Sequence, residues 1–282
     1  MTDAALQPIL ALFGHPVAAN PTQYMMEKAF AHHGMDCRFL TLEVAPEHLA
    51  DAIRGMRAMN FLGAVCAEPH KQAVIPLLDR TTDSAALSGA VNCISRHGGQ
   101  LLGDSTEGKG MLQSLRPLLE PAGKHVVLLG AGQVARAIAV ELALAGAAEI
   151  TIVNRTLSKA AQLAELLAAK LQATASAVAW DGEFLVPGET DVLIHATSAA
   201  AEDPDRRLPL CLDTLRSEAV VADVTLNPPL TRLLSEAEGR GCKVVDGLEM
   251  FIQHSLIALA AWTGMEADRT VMREAVEEFL LL

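Results

Sequence analysis

A glycine-rich turn near the middle of the chain is the segment whose residues have the clearest chemistry. It has the spacing GxGxxA, follows the apolar run KHVVLLG and opens an Ala-rich stretch; its residues are Gly130, Ala131, Gly132, Gln133, Val134 and Ala135. The first glycine permits a tight turn, the second lets the backbone approach a pyrophosphate, and free N–H groups at a helix start attract that anion. The sequence predicts a dinucleotide site here; the alternative is a strand-to-helix turn that binds no ligand.

The end of the next apolar run indicates which dinucleotide would bind. It reads Asn154, Arg155, Thr156, at the place where an enzyme that uses NAD usually has an Asp or Glu for the ribose 2′-hydroxyl. A guanidinium can pair with two oxygens of a 2′-phosphate, and Lys159 is a further donor nearby. We therefore predict NADP as the cofactor. In the alternative interpretation Arg155 only decorates a surface loop.

A third turn, Ala196, Thr197 and Ser198, follows the apolar run DVLIH. The carboxyl ends of parallel strands meet at one edge of a sheet, which is where ligands of such sheets bind. We therefore expect these three residues to lie beside the nicotinamide half of the cofactor.

Parallel strands must hold these turns, and the rest of the sequence supplies them. Short apolar runs alternate with Ala-rich stretches of helical period, which is typical of α/β proteins. We predict an N-terminal substrate-binding α/β domain over residues 1–105, completed by 247–282, and a Rossmann-type NADP-binding domain over 106–246. The last segments, LEMFIQHSLIALAAWTG and DRTVMREAVEEFLLL, are predicted to be strongly apolar helices that return to the first domain.

Composition argues against several other classes of protein. The net charge of -12, without a cluster of Lys and Arg, disfavours nucleic acid and membrane surfaces as partners. The five cysteines stand apart without a CxxC, and the nine histidines show no HExxH spacing, so we predict no metal site. The N-terminal segment lacks the features of a secretion signal. We expect a cytoplasmic protein, monomer or homodimer, that acts on a small molecule.

Taken together, the motifs resemble the shikimate and quinate dehydrogenase family, and the blocks keep the family's order over nearly the whole chain. Further matching residues are Gly14-His15-Pro16-Val17, Pro69-His70-Lys71, Gly89-Ala90-Val91-Asn92, Asp223 with Pro228 and Thr231, and Gly247-Leu248 with Met250. The resemblance implies hydride transfer between NADP(H) and a ring hydroxyl or ketone, in aromatic amino acid biosynthesis.

The resemblance also implies a catalytic Lys and Asp, of which only the Lys is matched. It is Lys71, and the partner position carries Glu107, which is one methylene longer and has the same charge. The two can form an ion pair or proton relay if the backbone shifts slightly, and Asp104 is an alternative partner. Simpler interpretations stay open: Lys71 can be an exposed residue paired with Glu68, and residues 104–107 can be a capping box.

The positions that hold shikimate in the family are those that differ most in this chain. Two serines correspond to Asn20 and Thr22, an Asn and a Thr to Val65 and Ala67, a Tyr to Leu226 and a Gln to His254, whereas Asn92 is retained. Each hydrogen bond lost to a hydroxylated ring costs on the order of 1 kcal/mol. We expect Asn20, Thr22, Asn92 and His254 to contact a substrate that is less hydroxylated or larger than shikimate.

Two of these polar residues have alternative interpretations. Asn20 also fits a helix N-cap, with Pro21 in the first turn and Gln23 completing a capping box. His254 can be a satisfied histidine of the core. The nicotinamide surroundings differ from the family as well, because Glu249 replaces a Gly and the pair at 200–201 is Ala-Ala.

The sequence therefore predicts an NADP-dependent oxidoreductase that transfers hydride reversibly between the cofactor and a ring hydroxyl or ketone of a shikimate-like or related small hydroxy acid. A true shikimate 5-dehydrogenase or quinate dehydrogenase is one alternative. An NADP(H)-binding sensor without catalysis is the other.

Overall fold

The computed structural model of the chain describes residues 6–198, 203 and 207–282. Contacts divide the chain into two compact units, one of Met1–Thr106 with Ser255–Leu282 and one of Glu107–His254. From the sequence, these divisions are predicted after residues 105 and 246. The predicted α/β class is confirmed.

Strands in the described residues are β1 (Ile9–Gly14), β2 (Arg38–Glu43), β3 (Gly63–Cys66), β4 (Arg80–Thr81), β5 (Cys93–His97), β6 (Gln100–Asp104), β7 (His125–Leu129), β8 (Glu149–Asn154), β9 (Ala175–Ala179), β10 (Phe184–Leu185), β11 (Val192–His195), β12 (Leu210–Cys211), β13 (Val220–Asp223) and β14 (Lys243–Val245). The α-helices are α1 (Thr22–His32), α2 (Leu49–Ala58), α3 (His70–Ala73), α4 (Asp83–Ser88), α5 (Thr106–Leu115), α6 (Gln133–Leu144), α7 (Leu157–Leu171), α8 (Arg232–Glu238), α9 (Gly247–Thr263) and α10 (Arg269–Leu280). In this part of the chain no helix has the length and apolar character needed to span a membrane.

The first unit is built on a six-stranded mixed sheet in the order β2-β1-β3-β5-β6-β4. β1 pairs in parallel with β2 and β3, whereas β5 is antiparallel to β3 and to β6. Phe13, Ile53 and Met56 belong to the buried core on this sheet. Parallel pairing requires crossover helices, and α1 and α2 supply them.

The C-terminal segment packs within the first unit, as predicted from the sequence. Trp262 Nε1 donates a hydrogen bond to the Ile94 carbonyl oxygen at 2.8 Å. A Cβ at Gly63 would lie 2.3 Å from the Trp262 ring, so only glycine leaves room for the indole. α10 packs against α1, where Lys28 Nζ lies 3.1 Å from Glu278 Oε2.

α10 differs from its prediction as a strongly apolar helix. Its buried residues are Met272, Ala275 and Val276, which are spaced so that they share one face, while most of its other side chains are partly or fully exposed. It is therefore an amphipathic helix that covers α1 with one side.

The second unit is built on a six-stranded sheet in the order β14-β13-β11-β7-β8-β9. All its strands are parallel, which is the doubly wound arrangement of a Rossmann domain. Chain order reverses between β7 and β11, and ligands of such sheets bind at that point, beyond the carboxyl ends of the strands. Val127, Val153, Leu193 and Val221 belong to the core on this sheet.

The helix predicted to begin at Pro69 is much shorter than expected. α3 has 4 residues, and a 3-10 turn follows over Ile75–Leu77. Pro76 accounts for the change, because it has no N–H to donate to the Gln72 carbonyl oxygen and so interrupts the α-helical hydrogen bonds.

Candidate active site

The glycine turn leaves space for a ligand beside its backbone. Gly130 has φ +120, and a Cβ there would lie 2.4 Å from the Ala196 carbonyl oxygen, so the position requires glycine. A Cβ at Gly132 would meet no atom within 4 Å, and α6 begins at the next residue. The Gln133 Oε1 atom is buried and has no hydrogen-bond partner in the described part of the chain. A pyrophosphate fits this turn, since the open space beside Gly132 lies at the start of α6, where helix N–H groups attract an anion.

A cleft of about 670 Å³ opens at this turn. Eight of its lining residues are predicted cofactor contacts: Ala131, Gly132, Asn154, Arg155, Lys159, Ala196, Thr197 and Ser198. Sequence reasoning missed the others, which are Trp180, Asp181, Gly182, Leu208 and Pro209. Trp180 to Gly182 follow β9, so recognising that Ala- and Ser-rich strand would have placed them at the same edge of the sheet.

Four of the residues predicted to contact the cofactor do not line this cleft: Gly130, Gln133, Val134 and Thr156. Gly130 and Gln133 form the turn itself. The Thr156 carbonyl oxygen accepts a hydrogen bond from Asn154 Nδ2 at 2.9 Å, which holds the loop that carries Arg155. The Ala-Ala pair at 200–201, which differs from the family, lies outside the described residues.

One end of this cleft is positively charged. Arg155 and Lys159 are exposed, and neither forms an ion pair with any residue that the structure describes. Two cations without a carboxylate partner fit a phosphate monoester, which is the group that distinguishes NADP from NAD. Asp181 also lines the cleft and adds a negative charge to it.

A buried chain of hydrogen bonds lies at the carboxyl end of β11. The His195 Nδ1 atom is 2.9 Å from Asp223 Oδ2, and its Nε2 atom is 2.6 Å from Thr197 Oγ1. The His195 and Asp223 side chains are 0% exposed. No role was predicted for His195 from the sequence, although a histidine at the end of an apolar strand was a usable signal.

The Asp223 carboxyl is ionised within this series of hydrogen bonds. Burial alone would raise the pKa of its carboxyl, but hydrogen bonding and charge attraction from His195, with hydrogen bonds from Thr225, outweigh burial and hold the pKa below its ordinary value. Thr231 Oγ1 donates a further hydrogen bond to Asp223 Oδ2 at 2.9 Å.

A second, smaller cleft of about 120 Å³ brings together residues that the sequence predicted for different roles. Glu107, Val134, Leu226, Met250 and His254 all line it. His254 is half-buried, and its ring meets Phe251 edge-on with centroids 5.1 Å apart. His254 therefore faces a cleft, unlike a histidine enclosed in a core.

Asn20 and Thr22 are joined at the start of α1. Asn20 Oδ1 accepts hydrogen bonds from Thr22 N at 2.9 Å and from Thr22 Oγ1 at 2.6 Å. The capping-box interpretation was wrong, because Gln23 Oε1 accepts from Thr41 N at 2.8 Å and Pro21 is the N-cap residue.

Lys71 is buried, with 10% of its side chain exposed. Its Nζ atom lies 3.6 Å from Glu68 Oε1, so the alternative ion pair exists, but the lysine is not the exposed residue which that interpretation assumed. Burial raises the pKa of the neighbouring Cys66 thiol to about 12, although the charge of Lys71 acts to lower it. The Lys71 carbonyl oxygen accepts a hydrogen bond from Val91 N at 2.8 Å, and Val91 is the residue before Asn92.

Asn92 holds the start of α5. Its Oδ1 atom accepts from Thr106 N at 2.6 Å, and its Nδ2 atom donates to Thr106 Oγ1 at 2.8 Å. Asp104 Oδ1 accepts from Thr82 Oγ1 at 2.6 Å. Asn92 thus fixes the residue that precedes Glu107 in the chain. Within the described ranges no group of three or more His, Cys, Asp or Glu side chains is placed to hold a metal ion.

Comparison with known proteins decides the family. The model of the shikimate dehydrogenase substrate-binding domain matches residues 12–94, and that of shikimate/quinate 5-dehydrogenase matches residues 115–239. The shikimate dehydrogenase (NADP(+)) of Methanopyrus kandleri is 38% identical over 277 residues, which are 96% of each chain. This chain belongs to the shikimate dehydrogenase family. The predicted family and the predicted class, an oxidoreductase that acts on CH–OH groups, are confirmed.

Solved structures similar to this chain include proteins named for different substrates. The ligand-free 5-ketofructose reductase of Gluconobacter sp. strain CHM43 is 47% identical, with TM-score 0.95, over 97% of this chain and 99% of that chain. The shikimate 5-dehydrogenase of Thermus thermophilus, solved with NADP(H) and shikimate, is 30% identical, with TM-score 0.83, over 97% and 100%. Membership of the family therefore leaves the substrate open.

Proposed function

We propose that this chain is an NADP(H)-dependent oxidoreductase whose substrate is a small neutral keto sugar or the corresponding alcohol. When bound, NADP(H) supplies or accepts the hydride. Arg155 and Lys159 bind the 2′-phosphate, and the glycine turn binds the pyrophosphate at the start of α6. This substrate differs from the sequence prediction, which was a small hydroxy acid less hydroxylated or larger than shikimate: a keto sugar is neutral and keeps several hydroxyl groups.

The bonding of Asn20 carries the proposal. Two serines stand at the positions of Asn20 and Thr22 in the family, and hydroxyl and N–H donors there suit a carboxylate. In this chain both Thr22 donors bond to Asn20 Oδ1. The amide oxygen thus uses the donors that a carboxylate would need, and its own lone pairs repel an anion. A sugar hydroxyl can donate to Thr22 Oγ1 and accept from Asn20 Nδ2.

The comparisons support a neutral substrate. Identity to the 5-ketofructose reductase is 47%, against 38% for the shikimate dehydrogenase of M. kandleri and 30% for that of T. thermophilus. The name of that reductase specifies a neutral sugar with two carbonyl groups. Val65, Ala67 and Leu226, where the family has an Asn, a Thr and a Tyr, are also consistent with a site that does not bind shikimate.

Lys71 is the proton donor in this proposal. In the reducing direction its ammonium group gives a proton to the carbonyl oxygen as that oxygen becomes a hydroxyl. Glu107 is the partner that restores the proton, and Asn92 positions it through Thr106. Burial of Lys71 keeps water away from the transferred proton, which strengthens its interaction with the developing oxyanion.

The proposal is tested by initial rates with NADPH and two carbonyl substrates, 5-ketofructose and 3-dehydroshikimate. We expect kcat/KM to be higher for the ketose by on the order of 100-fold, because two charge-assisted hydrogen bonds are missing for the carboxylate. Faster reduction of 3-dehydroshikimate would contradict the neutral substrate. No turnover of either compound, with NADPH bound, would favour the sensor.

A paired variant sharpens the test. Asn20→Ser with Thr22→Ser frees hydroxyl donors at the start of α1, so activity with 3-dehydroshikimate is expected to rise and activity with the ketose to fall. Thr270→Ser, at an exposed position on α10, is the matched control and should change neither rate.

A further inference from the structure

The buried chain Asp223-His195-Thr197 has no part in the chemistry described so far. We infer that His195 and Asp223 are positioning residues, which fix the Thr197 hydroxyl against the nicotinamide half of the dinucleotide. The inference rests on the proposed cofactor but not on the proposed substrate.

The order of strands places Thr197 at the nicotinamide end of the cleft. β7 carries the glycine turn and lies between β8, which ends at Asn154 just before Arg155, and β11, which ends at His195. A dinucleotide with its pyrophosphate on the β7 turn and its 2′-phosphate beside Arg155 must extend its other half toward β11. Thr197 and Arg155 line the same cleft, and the Ala196 carbonyl is packed closely against Gly130.

Strand pairing anchors the hydrogen-bonded chain. His195 and Asp223 are register partners in the parallel pair of β11 and β13, so their backbones hold the two side chains at one level of the sheet. Asp223 Oδ1 accepts from Thr225 N at 3.0 Å and from Thr225 Oγ1 at 2.7 Å. With Thr231 on its other oxygen, the carboxylate cannot turn away from His195.

The protons in this chain follow from the chemistry of each group. An ionised carboxylate can only accept, so His195 Nδ1 carries a proton and donates it to Asp223. His195 Nε2 and the Thr197 hydroxyl share a hydrogen bond of 2.6 Å, which fixes the rotamer of that hydroxyl. The Thr197 lone pairs are thereby directed, and a ribose hydroxyl or carboxamide N–H of the cofactor can donate to them.

Such an arrangement is costly unless it has a use. Burying an ion or a polar ring away from water has a free-energy penalty that an apolar pair in the same strands would avoid. The benefit is that the rotamer of the Thr197 hydroxyl is fixed before the ligand binds, which reduces the conformational entropy lost on binding. The half-buried Thr197 is the member of the chain that lines the cleft.

The test is a double-mutant cycle measured by ligand binding. The variants are Thr197→Val, His195→Gln and the two combined, and the ligands are NADPH, titrated by its fluorescence, and adenosine 2′,5′-bisphosphate, titrated by calorimetry. Each single variant should weaken NADPH binding about tenfold, as expected for one hydrogen bond of about 1.4 kcal/mol. The combined variant should weaken it no further, because His195 acts only through Thr197.

The adenosine fragment separates positioning from a general structural role. Its affinity should stay unchanged in all three variants, because it does not reach β11. Thr151→Val is the matched control: it removes a hydroxyl of the same sheet that lies 3.2 Å from Ser176 Oγ, and it should change neither affinity.

Several results would overturn the inference: multiplied effects in the combined variant, an equal loss of fragment affinity, or unchanged NADPH affinity in Thr197→Val. If His195→Gln does not fold, Thr197→Ser decides the matter, since it should restore the affinity that Thr197→Val loses. Wild-type protein that binds no NADPH would refute the cofactor itself. A wrong substrate would leave these binding results unaffected.

Discussion

Lys71 shows how much of a residue's chemistry depends on its surroundings. In the sequence it is one of 22 basic residues, and its pairing with Glu68 would be unremarkable on a surface. In the structure its side chain is 10% exposed, whereas that of Glu68 is 60% exposed. The carboxylate is therefore well solvated and the ammonium is not, so the ion pair alone does not explain why Lys71 is buried.

Replacing Lys71 tests its role as the proton donor. Lys71→Met keeps most of the side-chain volume and removes the proton, so kcat for the ketose should fall by about 100-fold to 10,000-fold, the range of general acid catalysis. The Kd for NADPH, measured by fluorescence, should stay within about twofold. Steady-state rates and titrations on the same samples provide both values.

Two controls accompany this variant. Glu68→Gln breaks the observed ion pair without removing the lysine, and Lys170→Ala removes an exposed lysine of α7. Both should retain most of the activity. An equal loss in Glu68→Gln would mean that the ion pair, and not proton transfer, accounts for the effect.

At the scale of elements, a tight contact between two helices lies beside the candidate catalytic residue. A Cβ at Gly108 on α5 would lie 2.1 Å from the Ala137 carbonyl oxygen on α6 and 2.9 Å from Glu141 Cγ. The two helix backbones thus touch at the residue after Glu107. Asn92 bonds the first residue of the same helix, so α5 is held both at its start and along its side.

Gly108→Ala should destabilise the protein for this reason. Alanine favours a helix over glycine by about 1 kcal/mol, but overpacking against backbone atoms costs about 1 to 3 kcal/mol and cannot be relieved by a side-chain rotation. We expect a net fall in the free energy of unfolding, measured by urea denaturation, and lower activity because Glu107 moves.

Gly55→Ala on α2 is the matched control. A Cβ there would meet only Met59 Cε at 3.5 Å, an ordinary contact. Its free energy of unfolding should rise by about 0.5 to 1 kcal/mol. If Gly108→Ala were as stable as Gly55→Ala, the two helices would have room to separate and the contact would not position Glu107.

At the scale of the whole molecule, cofactor selectivity should appear as stability. A ligand that binds only the folded state stabilises it by about 2.7 kcal/mol at 100 times its Kd. NADPH should therefore raise the Tm more than NADH at equal concentration. Arg155→Ala should remove most of this difference, because a guanidinium hydrogen bond to a phosphate contributes about 1.5 to 3 kcal/mol.

Thermal melts with each cofactor measure this effect. Arg54→Ala, which removes an exposed arginine of α2 from the first unit, should keep the wild-type difference between NADPH and NADH. An unchanged preference in Arg155→Ala would mean that this arginine does not bind the 2′-phosphate.

Much of the second unit could be predicted because its signals are local. The glycine turn, the strand before it and the helix after it lie within one short segment, and buried parallel strands such as β7 and β11 read as continuous apolar runs. β9 was missed because it lacks such an apolar run. Its residues Ala175–Ala179 are half-buried and mostly alanine, a composition that is equally typical of a helix.

The sequence by itself determined the family, the α/β class, the glycine turn and the charged residue after β8, since each depends on residues that are neighbours in the chain. Only the tertiary structure decided which polar groups bond to each other. His195 and Asp223 are 28 positions apart and meet through strand register, and Asn92 reaches Thr106 across 14 positions. Such partners follow from the pairing of whole strands, which no local spacing encodes.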